Sequence, residues 1–142
     1  LYKMGIVTSP QIAKREERFY PYLISVISLG MLAYVYTILQ VPQFLLYLVY
    51  GLLVSVVSVF FVNMWWKISA HMSGIGGLLG GVLTTTYYFK ENAMWLYIAL
   101  FIISGMVAFS RLKLKAHSLG QLFAGFLVGL VCVGGVPLFL FL

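Results

Sequence analysis

The chain has 142 residues, 63% of them hydrophobic and 8% charged, a balance too apolar for a soluble domain of that length. Its net charge of +6 has no soluble surface on which to form a basic stripe, which argues against nucleic acid as a partner. The lone cysteine, Cys132, lies within an apolar run and excludes an internal disulfide framework.

Residues 1–20 are a polar, basic approach carrying Lys3, Lys14, Arg15, Glu16, Glu17 and Arg18. Residues 12–20 suit a short interfacial helix, and Pro21 suits the first turn of the segment that follows. Leu1 in place of Met indicates a processed, truncated or partial chain, and the charged lead before the first apolar run does not read as a signal peptide.

Five apolar stretches follow, at about 21–39, 43–62, 70–89, 93–110 and 118–142. Each approaches the roughly 20 residues that a helix needs to cross hydrocarbon. The expected fold is all-α: a polytopic transmembrane helical bundle, with residues 1–142 as one domain. Gln40, Val41 and Pro42 leave room only for a tight link, so the first two spans form an antiparallel hairpin. Lys90, Glu91 and Asn92 make a similar turn between the third and fourth.

The third span carries Gly76/Gly80 and Gly77/Gly81 at small-xxx-small spacing, which favours close packing inside the bundle over a dimer face. The last span carries Gly134, Gly135 and Pro137, where it is expected to kink or end early. Tyr87, Tyr88 and Trp95 mark one membrane edge and Trp65 and Trp66 the other.

Eight of the nine Lys and Arg residues fall on one side of this arrangement: four in the amino-terminal segment, Lys67, and Arg111, Lys113 and Lys115. By the positive-inside rule that side is cytoplasmic. His71, Arg111 and His117 share it whatever its identity, because loops two spans apart return to the same face.

Polar and ionisable groups beside hydrocarbon are costly and mark functional sites. His71 opens the third span after Lys67 and Ser69; Arg111 and His117 flank the opening of the fifth. These are the parts for metal-free cleavage of a phosphate ester: a nucleophile, an acid for the leaving oxygen, and cations for the transferring group. His117 suits the nucleophile and His71 the acid. Arg111 offers a fork of donors matched to phosphate, with Ser69 and Lys67 as further donors. Gln121, four residues after His117, lies on the same helical face and is placed to accept from the second imidazole nitrogen and hold its tautomer.

Each residue also has a plain structural role: interfacial side chains for the histidines, topology anchors for Lys113 and Lys115, and helix caps for Ser69 and Ser110. No Asp occurs, and the only acids are Glu16, Glu17 and Glu91, so a carboxylate cluster for magnesium cannot form. Two histidines without a supporting acid also make a poor zinc site, and no metal or cofactor is expected. A transporter would need a polar path, for which the middles of the spans offer only Ser, Thr and Tyr, such as Ser55, Ser58, Thr84, Thr85, Thr86 and Ser104.

The pattern Ser110-Arg111, five residues, His117, three residues, Gln121 resembles the third motif of the type 2 phosphatidic acid phosphatase superfamily, which has Asp where this chain has Gln. Ser69-Ala70-His71 is similar to the end of that family's second motif, Ser-Gly-His. Its first motif is intact nowhere; Lys14, Arg18 and Pro21 form a degenerate version, and Lys67 is a substitute for the missing cation. The resemblance covers about residues 60–130.

It implies a bacterial inner-membrane lipid phosphate phosphatase working through a phosphohistidine on His117. His71 would be the acid, and Arg111, Ser69, Lys67 and Arg18 the phosphate binders. The substrate would be a phosphorylated lipid. It also implies a six-helix core whose first helix is missing here, and a site at the outer face, opposite to the side given by the charges. The neutral Gln121 leaves an alternative open: a catalytically impaired relative that binds lipid phosphate or serves as a membrane scaffold.

Overall fold

A computed structural model describes residues 19–141. Five helices account for nearly all of it: α1 (Phe19–Ile38), α2 (Gln43–Trp65), α3 (Ala70–Phe89), α4 (Met94–Lys113) and α5 (Leu119–Phe141). The links between them are short, so each helix reverses on its predecessor.

Four helices (α1, α2, α4 and α5) are long and apolar enough to cross a membrane, which makes this an integral membrane protein. The fifth, α3, has the length, but its glycines and threonines lower its hydropathy. Position explains the exception. α3 buries Met72, Ser73, Gly76, Gly77, Leu79, Gly80 and Thr84 among its neighbours, so that side of it does not have to meet lipid. Large apolar side chains such as Met31, Phe101, Met106, Val131 and Phe139 instead face outward.

The core is the parallel pair α3 and α5. A Cβ on Gly76 would run into the carbonyl of Phe126, and one on Gly129 into the carbonyl of Ser73. A Cβ on Gly80 would come within 2.6 Å of the Leu130 carbonyl oxygen. Backbones this close gain dispersion along their whole length, which is how helices associate where no hydrophobic drive acts between them. The glycines therefore serve packing within the bundle, as their spacing predicts.

α2 runs antiparallel to both core helices. The Ser55 and Ser73 hydroxyls meet at 3.1 Å inside the α2–α3 contact. At the far end Phe44 stacks on Tyr88 with ring centroids 5.0 Å apart. α1 packs along α2, with Phe19 and Tyr22 against Phe60. α4 leans on α3 from the other side.

Three expectations are corrected. α5 does not end early at Pro137, which is buried inside it. Pro137 has no N–H for the Val133 carbonyl, and the Thr84 hydroxyl donates to the next carbonyl, Gly134, at 2.9 Å. A hydroxyl from α3 thus stabilises the turn where the α5 ladder is weakest. α4 continues past residue 110 to Lys113, so Arg111 and Lys113 are helical rather than in a loop. Their cations complement the helix dipole in its last turn. Ser110 is accordingly no cap; its carbonyl accepts from Leu114 at 3.0 Å.

Candidate functional site

The carboxyl end of α4 and the amino ends of α3 and α5 lie at the same end of the bundle, as the alternating direction of the helices requires. The link from α2 packs on the first turns of α5: the Ser69 N–H donates to the Gln121 carbonyl at 3.3 Å. The Trp66 ring lies 3.8 Å from where a Gly120 Cβ would be. The shared face expected for His71, Arg111 and His117 follows from this backbone joint and from the parallel run of α3 and α5.

Arg111 is half-buried in the last turn of α4. The chain then turns through a Schellman motif, in which Ala116 N–H donates to the Arg111 carbonyl at 3.1 Å and Lys115 N–H to that of Leu112 at 2.8 Å. Lys115 takes the left-handed position, φ 50°, usually given to glycine. This turn carries the backbone from Arg111 to His117 in six residues.

Ser118 caps α5, and Ser118-Leu119-Gly120-Gln121 is a capping box. The Gln121 N–H donates to Ser118 Oγ at 3.4 Å, and the Ser118 N–H donates back to Gln121 Oε1 at 3.1 Å. The backbone N–H orients the amide, because only an oxygen can accept from it. The same Oε1 lies 3.2 Å from His117 Nδ1. That oxygen only accepts, so Nδ1 is the donor in this contact. Gln121 holds the tautomer, as its spacing suggests, although His117 precedes the helix and the contact arises from a side chain folding back. The capping box escaped the sequence reading; its signal, Ser-x-x-Gln before an apolar run, was available.

Ser69 is fully buried, and its hydroxyl accepts from the Met72 N–H at 3.4 Å as the cap of α3. Its structural role is the one observed, and it offers no exposed donor. His71 is exposed on the first turn of α3, and Lys67 is half-buried in the α2–α3 link. Arg18 and Lys14 lie outside the described residues. Among the described residues no group of three His, Cys, Asp or Glu side chains forms a metal site.

Comparison with protein-family models, curated proteins and solved structures finds no match. The chemistry of this end of the bundle therefore rests on its own geometry.

Proposed function

We propose that the protein binds the phosphate of a lipid headgroup and hydrolyses its ester through His117, as a divergent member of the type 2 phosphatidic acid phosphatase superfamily. The observation that carries the proposal is the Gln121 amide oxygen, which accepts from His117 Nδ1 and so assigns the nucleophilic attack to Nε2. In the reaction, Nε2 attacks phosphorus and the bond to the lipid oxygen breaks. His71 gives that oxygen its proton. Water, deprotonated by His71, then cleaves the phosphorus–nitrogen bond and releases inorganic phosphate. The Arg111 guanidinium offsets charge on the transferring group.

The supporting facts are the common end of the bundle, the tautomer and a cation on each flank. Purified protein in detergent is expected to release phosphate from phosphatidate. His117→Ala should abolish release, and His71→Ala should slow it by about 10²–10⁴-fold. Release that survives His117→Ala would refute the mechanism.

One observation favours a second reading, in which lipid phosphate is bound without turnover. Gln121 is neutral and already accepts from Ser118, so it stabilises an imidazolium less than a carboxylate would. Retention of phosphatidate by the wild type with no release of phosphate would select it.

A further inference from the structure

α3 meets its neighbours along three stripes. Gly76, Gly80 and Thr84 lie on α5. Ser73, Gly81 and Tyr88 meet Ser55, Leu48 and Phe44 of α2. Thr86 joins Tyr97 of α4, hydroxyl to hydroxyl. At about 100° per residue a fourth side remains between the α2 and α4 stripes, and it carries His71, Gly74, Leu78 and Thr85. His71, Gly74 and Leu78 are exposed. The Thr85 hydroxyl is turned onto its own helix, donating to the Gly81 carbonyl at 2.7 Å, so the strip beyond His71 presents hydrocarbon.

Gly74 is a notch in this strip. No atom lies within 4 Å of where its Cβ would be. The helix places it one turn, about 4.5 Å, further into the bundle than His71. Gly30, Gly105 and Gly135 have the same open space, but no His, Lys or Arg lies within a turn of them on their helices. Arg111 reaches the level of His71 from α4. The Thr86–Tyr97 contact sets the register of this antiparallel pair. Arg111 lies fourteen residues after Tyr97 and His71 fifteen before Thr86, a rise of about 21 and 22 Å. Arg111 is also on the α3 side of α4, at helical spacing from Tyr97, buried Leu100 and Ser104. A guanidinium and an imidazole therefore stand level at the end of an apolar strip.

We infer that this strip holds one acyl chain of a lipid whose phosphate meets Arg111 and His71, and that Gly74 is the notch where headgroup and chain join; this rests on the phosphate site proposed above. A lipid tail is as apolar as leucine, so the strip alone selects nothing from the bilayer. Selection comes from the charge at its end. The Arg111 fork matches a phosphate monoester, whereas a zwitterionic headgroup brings a cation of its own. The chain in turn holds the phosphate in place, as remote binding does for a reacting group.

The test uses the full chain in phosphatidylcholine nanodiscs doped with phosphatidate that carries a photoreactive diazirine midway along one chain. After irradiation, adducts are mapped by mass spectrometry. Residues 78–85 are expected to be labelled about tenfold more than by phosphatidylcholine bearing the same diazirine, the ratio that one charge-assisted hydrogen bond gives. Gly74→Leu fills the notch and is expected to erase this preference without lowering the unfolding temperature. Arg111→Ala is expected to erase it as well. Gly105→Leu, at an equally open position of α4, is expected to keep it. Preferential labelling by phosphatidate without phosphate release supports the strip and overturns hydrolysis alone. Equal labelling by the two probes, or a preference that survives Gly74→Leu, overturns the inference, and phosphate release in the same preparation leaves the catalytic reading standing.

Discussion

Gln121 has two duties that a single substitution can separate. Its oxygen closes the α5 capping box and fixes the His117 tautomer. Glu fills the same place in a capping box and adds a negative charge beside the imidazole. Gln121→Glu is therefore expected to preserve thermal stability and to raise phosphate release about tenfold, by favouring the imidazolium form of the departing nucleophile. Gln121→Ala loses both contacts and should cost about 1 kcal/mol of stability, measured by thermal unfolding in detergent, together with most of the activity. An unchanged rate in Gln121→Glu would detach the amide from the chemistry. The His117–Gln121 contact was legible from spacing alone. The burial of Ser69 was not, because it depends on α5 lying across the α2–α3 link, which no local pattern records.

Helix ends and helix contacts set the next scale. The turn after α4 places Lys115 in the left-handed region, where a side chain costs about 1 kcal/mol. Lys115→Gly should stabilise the protein by up to that amount and raise its unfolding temperature; a decrease would deny the Schellman turn its role. Gly76→Leu and Gly129→Leu should prevent α3 and α5 from closing, whereas Gly30→Leu, with open space around it, should be tolerated. Yield of monodisperse protein separates the two outcomes. The limits of α3 were readable because Ser69 caps one end and the Lys90 turn closes the other. Those of α4 were misjudged because Arg111 and Lys113 resemble loop cations although they sit in the final turn. Pro137 was misjudged because the support for its turn, the Thr84 hydroxyl on the neighbouring Gly134 carbonyl, comes from another element. Thr84→Val should expose that dependence with a loss of about 1 kcal/mol.

At the scale of the molecule, two parts of different firmness share one end. α2, α3 and α5 interlock through glycine backbones, buried serines and stacked rings, and they hold the segments bearing His71 and His117. α1 and α4 flank them with few buried residues: Ala33 in one and Leu100 in the other. The number and order of helices followed from the apolar runs, four of which are long and apolar enough to cross a bilayer. Which helices are core and which are flank did not. That distinction comes from where backbones can touch, a property of paired helices.

The most direct measurement is capture of the covalent intermediate. Purified protein would be mixed with phosphatidate, quenched in alkali within one turnover, digested and analysed by mass spectrometry. The account predicts one acid-labile phosphoryl group on the peptide containing His117, absent in His117→Ala and accumulating in His71→Ala with a reactive leaving group. Phosphate release with no phosphoryl group on His117, or the group on another residue, would contradict it.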